Sequence, residues 1–82
     1  MTFTVVWTPS ALRELAALYN QASDKSAVTA ASNSIDISLR DDPLSVGESR
    51  SGPTRILIED SLRVSYDVSP DDCLVTVWAV WR

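Results

Sequence analysis

Apolar residues recur along this chain with two different periods, and the switch between them divides it into segments. From Thr2 to Trp7 the pattern alternates, with Phe3, Val5 and Trp7 on one side and Thr2, Thr4 and Val6 on the other. A period of two in β-branched and aromatic residues predicts a strand. Thr8-Pro9-Ser10 stops it; Pro9 suits a first helical turn and Thr8 its N-cap. Leu12, Leu15, Ala16 and Tyr19 then fall on one helical stripe, as do Ala11, Leu15 and Leu18, while Arg13, Glu14 and Asn20 lie off it. A first helix is predicted from Pro9 to Gln21. Asp24 is the expected cap of a second, in which Val28, Ala31, Ile35 and Leu39 make one narrow apolar seam. Lys25, Thr29, Ser32, Asn33 and Asp36 take its other side. The short link implies an antiparallel helix pair.

Asp41-Asp42-Pro43 ends the second helix, because proline disfavours helical backbone just before it. Pro43 to Pro53 has no period and carries both glycines, so a long loop is expected there. The last third reads as three strands in a meander: Arg55 to Glu59, Leu62 to Val68, and Leu74 to Trp81. Ser69-Pro70-Asp71-Asp72 has type I turn chemistry. The order β-α-α-β-β-β predicts one α+β domain over residues 1–82, with two antiparallel helices on one face of a small, mostly antiparallel sheet.

The pleat then assigns side chains to faces. A three-residue loop, Glu59-Asp60-Ser61, pairs Ile58 with Leu62 and Ile56 with Val64, and sends all of these to the core along with Tyr66 and Val68. A two-residue turn sets Arg63 among the isoleucines, an unpaired charge on a buried face, which is costly. With a four-residue loop at Ser69–Asp72, Val75, Val77 and Ala79 join the core. Arg55, Leu57, Arg63, Ser65, Asp67, Thr76, Trp78, Val80 and Arg82 then share the helix-free face, with Arg63 opposite Trp78. A one-residue slip swaps every assignment. Arg50 arrives from the long loop. Such an arginine cluster beside an exposed Trp suits a phosphate backbone with a stacked base. The competing reading pairs the arginines with Asp67, Glu59 and Asp71 and leaves Trp78 covering the sheet; Trp7 and Trp81 read as packing residues.

Composition narrows the chemistry. Eighty-two residues suffice for one domain, and so short a chain buries only about 60% of its unfolded surface. At 45% hydrophobic residues the chain has enough apolar side chain for a core. It has no His and a single cysteine, Cys73, placed at the start of the last strand and read as a small semi-buried residue. An internal disulfide, a zinc site, a Cys/His pair and a Ser/His/Asp triad are therefore excluded. Asp41-Asp42 and Asp71-Asp72 sit where Asp has a capping or turn role, so no metal and no cofactor is expected. Ser49-Arg50-Ser51-Gly52 lacks the lysine and helix of a phosphate-binding loop. Met1-Thr2-Phe3-Thr4 has neither the basic flank nor the apolar core of a signal peptide. No apolar run approaches the ~20 residues that cross a bilayer, so a cytoplasmic protein without membrane contact is expected. The net charge of −4 argues against a generalist nucleic-acid binder.

Several strings together resemble the RelE/ParE superfamily of toxins from type II toxin–antitoxin systems. "VVWTPSALRELAALY" (Val5 to Tyr19) is similar to their opening strand, break and helix. "LRDDPLSVGES" (Leu39 to Ser49) resembles their helix-end Asp-Pro and Gly-containing loop. "LRVSYDV" (Leu62 to Val68) resembles their most characteristic strand, and "VTVWAVWR" (Val75 to Arg82) their last. The strings cover nearly the whole chain in order. The resemblance implies a growth-inhibiting toxin, of the kind that serves plasmid stabilisation, neutralised by a cognate antitoxin whose segment enters an apolar groove beside the helices or along a sheet edge. RelE-type members cut mRNA in the ribosomal A site without a metal: the RNA's own 2′-hydroxyl attacks, and basic side chains stabilise charge and move protons. RelE-like mRNA cleavage is the expected activity; the alternatives are a ParE-type inhibitor of DNA gyrase without nuclease activity and a degenerate member that only binds its antitoxin.

Matched by position, the resemblance makes Arg55, Arg63 and Arg82 the catalytic candidates for an mRNA interferase. Arg50 and Trp78 are added as RNA-binding candidates from the face assignment. Two departures stand out. The second basic residue expected after Arg55 is Leu57, which cannot take a proton. The last strand is expected to close the chain at Arg82, without the stacking Tyr of RelE-type endoribonucleases.

Overall fold

The structure, a computed structural model, describes residues 2–82. Chain order gives β1 (Thr4–Trp7), α1 (Pro9–Gln21), α2 (Lys25–Asp41), β2 (Glu48–Ser51), β3 (Thr54–Glu59), β4 (Leu62–Ser69) and β5 (Leu74–Trp81). The strands form one sheet in the order β1-β5-β4-β3-β2, antiparallel except where β1 runs parallel to β5. This is the expected α+β arrangement with one strand more.

Both helices start where the caps predict. Thr8 Oγ1 accepts from the Ala11 amide at 3.1 Å, and Asp24 Oδ1 from the Ala27 amide at 3.1 Å, each satisfying a first-turn donor that has no partner within the helix. The end of α1 is closed by Lys25. Its Nζ donates to the carbonyls of Tyr19, Asn20 and Ala22 at 3.2, 3.2 and 3.3 Å, where the helix leaves acceptors unpaired and a cation is favoured. Val28, Ala31, Ile35 and Leu39 are all buried, as their seam requires. On α1 only Ala11 is fully inside; Leu15 and Leu18 pack partly against the core, while Leu12 and Tyr19 face outward. The buried side chains form one cluster, with Leu57 of β3, Leu62, Val64, Tyr66 and Val68 of β4, and Val75, Val77 and Val80 of β5.

Three expectations are corrected. The expected loop from Pro43 to Pro53 contains β2, which pairs Glu48 with Ile56 and Ser49 with Arg55. All four β2 residues are exposed, so no apolar period announces the strand. The β3–β4 turn has two residues, Asp60 and Ser61, because Glu59 pairs with Leu62. Asp60 supplies the positive φ, 52°, that tight hairpins need at their first central position. Ile58 therefore opposes Arg63, and Leu57 opposes Val64. Leu57 is the inward residue and Ile58 is 59% exposed. The cost assigned to a two-residue turn does not arise, since Arg63 and Ile58 meet on a face open to water.

The third correction lies in β5. The β4–β5 loop is Pro70 to Cys73, with Ser69 opposite Leu74, and Cys73 sits in the turn at φ 49° rather than in the strand. Val75 and Val77 face inward as expected. The register then shifts: Tyr66 opposes Val77, Ser65 opposes Ala79, and Trp78 is the extra residue. A bulge of this kind reverses which residues face which way beyond it. Val80 is buried in place of Ala79, and Arg63 lies opposite Trp81, not Trp78.

Candidate functional site: the open face of the sheet

The register decides what each arginine can do. Along β4, Val64 and Tyr66 point to the helices, so Arg63, Ser65 and Asp67 point to the open face. Along β3, Leu57 points to the helices, and Arg55, two residues away, shares its side. Arg55 and Arg63 are thus on opposite faces of the sheet. The expected cluster of Arg55 with Arg63 does not form.

Arg55 is engaged with backbone. Its Nε donates to the Val46 carbonyl at 3.4 Å, and its Nη2 to the carbonyls of Val46 and Gly47 at 3.2 and 3.3 Å. Its cross-strand partner Tyr66 is fully buried, and the phenol approaches the carbonyls of Pro43 and Val46 at 3.0 and 2.9 Å. The two side chains clamp the segment between α2 and β2 against the sheet. Burial pushes the Tyr66 hydroxyl pKa above its ordinary 10.0, with the Arg55 hydrogen bond and charge pulling the other way. Gly47 is required in this clamp: at φ +70° a Cβ would stand 2.6 Å from the Ile56 carbonyl oxygen and 2.8 Å from the Tyr66 hydroxyl.

The other candidates are dispersed. Arg50, in β2, pairs with Glu48 at 3.2 Å. Trp78 donates through Nε1 to Asp67 Oδ1 at 3.2 Å, and Thr54 Oγ1 meets the same oxygen at 2.7 Å. Asp67 is therefore held by neutral donors rather than by an arginine. Arg82 is exposed just beyond β5. Arg63 makes no hydrogen bond or ion pair with any described residue. It sits in a row across three strands, between Ile58 and Trp81, the latter 36% exposed. Behind it Ser65 is 96% buried in the sheet surface, between Ile56 and Ala79, and its hydroxyl makes no hydrogen bond with a described residue. Sequence reasoning named Arg63 and set Ser65 on its face, but missed Ile58 and Trp81 as its neighbours. The positive φ at Asp60 and the bulge at Trp78 put them there, and neither has a sequence signal of its own.

Two further features lie outside this face. A groove of ≈ 280 Å³ runs between the helices, lined by Leu12, Leu15, Ala16, Tyr19, Val28 and Thr29 among others. Beyond the end of β1, the edge of β5 is met by a side chain: Glu14 Oε1 accepts from the Val80 amide at 3.2 Å. Among the described residues no group of three or more His, Cys, Asp or Glu could hold a metal ion, and no helix is long and apolar enough to cross a membrane.

A helix pair on one side of a five-stranded sheet, with the other side uncovered, defines the class of fold. Solved structures with the same fold include chains of toxin–antitoxin complexes. A chain of the toxin–antitoxin complex RelBE2 from Mycobacterium tuberculosis superposes with a TM-score of 0.84 at 21% identity, over 100% of this chain and 92% of that one. A chain of the chromosomal ParDE system from P. aeruginosa gives 0.76 at 14% identity, over 99% and 96%. A chain of the intact E. coli RelBE complex gives 0.69 at 17% identity, over 100% and 96%. The chain thus has the RelE/ParE fold that its sequence resembles. No protein-family model matches it, and no curated protein matches it in sequence.

Proposed function

We propose that this chain is the toxin of a type II toxin–antitoxin pair, working in the cytoplasm and held inactive by a cognate antitoxin, and that it acts by binding its target rather than by cutting RNA. The toxin assignment is supported by likeness over essentially the full chain to both RelBE and ParDE complexes. The observation that carries the binding mode is the separation of the arginines. Metal-free RNA cleavage needs several basic groups around one phosphate, at least one of them able to give or take a proton. Here Arg55 is spent on loop carbonyls, Arg50 on Glu48, and Leu57 lies in the core. Arginine is in any case a poor proton shuttle, with a pKa above about 12. DNA gyrase is the target the ParE resemblance implies.

The second reading, ribosome-dependent mRNA cleavage, is favoured by Arg63 alone, a cation without a partner among the described residues, opposite Trp81 on the open face. Inducing the chain in cells and following growth, mRNA ends and plasmid supercoiling separates the readings. The binding reading predicts arrest, intact transcripts and failed supercoiling by purified gyrase. Codon-phased A-site cuts lost in Arg63→Gln establish the nuclease instead. Undisturbed growth leaves only antitoxin binding. Co-expression of the adjacent reading frame is expected to restore growth.

A further inference from the structure

From the open face we infer that the row Ile58–Arg63–Trp81 is a docking slot for a partner-protein segment that presents one carboxylate between apolar side chains. This names the partner chemistry of the surface on which the binding reading above rests. The argument is charge complementarity within an apolar strip. Arg63 is a guanidinium with no partner among the described residues, although the chain has eleven acidic residues to seven basic ones. Its two cross-strand neighbours are large and exposed, Ile58 at 59% and Trp81 at 36%. An apolar cover alone would strand the cation, and removing an unpaired charge from water is costly. An occupant that seals the strip must bring an acceptor to that one position. A carboxylate meets it with charge-assisted hydrogen bonds.

Ser65 is the second observation. It lies two residues along β4 on the same face, nearly buried between Ile56 and Ala79, with its hydroxyl unpartnered among the described residues and not sealed from the open face. It offers a donor beneath whatever group Arg63 receives. A single-stranded nucleic acid fits less well. A polyanion is held by several cations along its path, and the other arginines are paired, turned to the helices or at the strand end. A Trp and an Arg at the centre of an apolar patch instead match the composition of protein contact centres.

The test uses a short amphipathic peptide with leucine, glutamate and leucine along one face, and its counterpart with glutamine for glutamate. Binding to the full chain is followed by tryptophan fluorescence. The glutamate peptide is expected to bind about tenfold more tightly than the glutamine peptide. Arg63→Gln should erase that difference, and Trp81→Phe should remove most of the fluorescence change. Leu12→Ser, in the groove between the helices, should leave both intact. Arg63 is exposed and has no partner among the described residues, so the variant is expected to fold as the parent does. The inference is overturned if neither peptide binds, if both bind equally, if the preference survives Arg63→Gln, or if Leu12→Ser removes it. It is also overturned if an oligouridylate displaces the glutamate peptide in an Arg63-dependent way, or if Arg63 instead drives self-association. Growth arrest is a separate readout. Arrest without a glutamate preference removes the slot alone, and a glutamate preference without arrest removes the toxin reading alone.

Discussion

The two faces of the sheet are built from the same strands and differ in almost everything else. On the helix side, Leu57, Leu62, Val64, Tyr66 and Val77 are closed in by α1 and α2, and Arg55 is engaged with loop carbonyls and the Tyr66 hydroxyl. On the other side, Ile58, Trp78 and Trp81 remain exposed, and Arg63 has no described partner. The difference teaches that a residue's role here follows from the parity of its position in the strand. Arg55 and Arg63 are both strand arginines, on neighbouring strands. One holds a loop in place, and the other is available to a partner.

The largest test of that contrast is removal of one aromatic from each side. Tyr66→Ala leaves a cavity in the core and removes the phenol's hydrogen bonds to the carbonyls of Pro43 and Val46, so a loss of about 3–5 kcal/mol is expected in urea unfolding. Trp81→Ala should cost less than Tyr66→Ala, because Trp81 is 36% exposed and leaves no enclosed cavity. Next is Gly47→Ala. The left-handed backbone and the contacts at 2.6 and 2.8 Å together predict a loss of about 2–3 kcal/mol, again read from the urea midpoint. The arginines come third. Arg55→Met should destabilise by about 1–2 kcal/mol through its lost carbonyl partners, and Arg63→Gln by less than about 0.5 kcal/mol. Equal losses for the two would dissolve the distinction between the faces.

The smallest effect is on pH dependence. A Tyr66 hydroxyl held above 10.0 in the folded chain keeps its proton where the unfolded chain loses it. Its contribution to stability is therefore complete below pH 10.0 and declines as the pH rises from there toward the folded value. The Tyr66→Phe variant should lack this alkaline decline. Arg55→Met removes the two influences that lower the hydroxyl, so Tyr66 should ionise at still higher pH, as followed in the ultraviolet tyrosinate band.

The helices were legible residue by residue, because their signals are local. Thr8, Pro9 and Asp24 mark the starts, and the Val28–Leu39 seam has a period no strand shares. The fold class followed from the order of segments. The site was legible only as a list of residue types. Arg-Ile-Leu-Ile-Glu offers apolar residues to both faces, so either parity looks plausible until Asp60 is known to accept a positive φ. Val-Thr-Val-Trp-Ala-Val-Trp is apolar almost throughout, which conceals the bulge at Trp78 that moves Trp81 beside Arg63. The strand Glu48–Ser51 is exposed on every residue and owes its existence to pairing with β3. What escaped sequence reading was register, a property of two strands at once.

The division of the arginines is tested most directly by their reactivity in the folded chain. Treatment with a dicarbonyl reagent, followed by mass-spectrometric mapping over time, should modify Arg63 quickly, while Arg55 reacts only as fast as its loop opens. Modification of both at one rate, or protection of both together, would contradict the account.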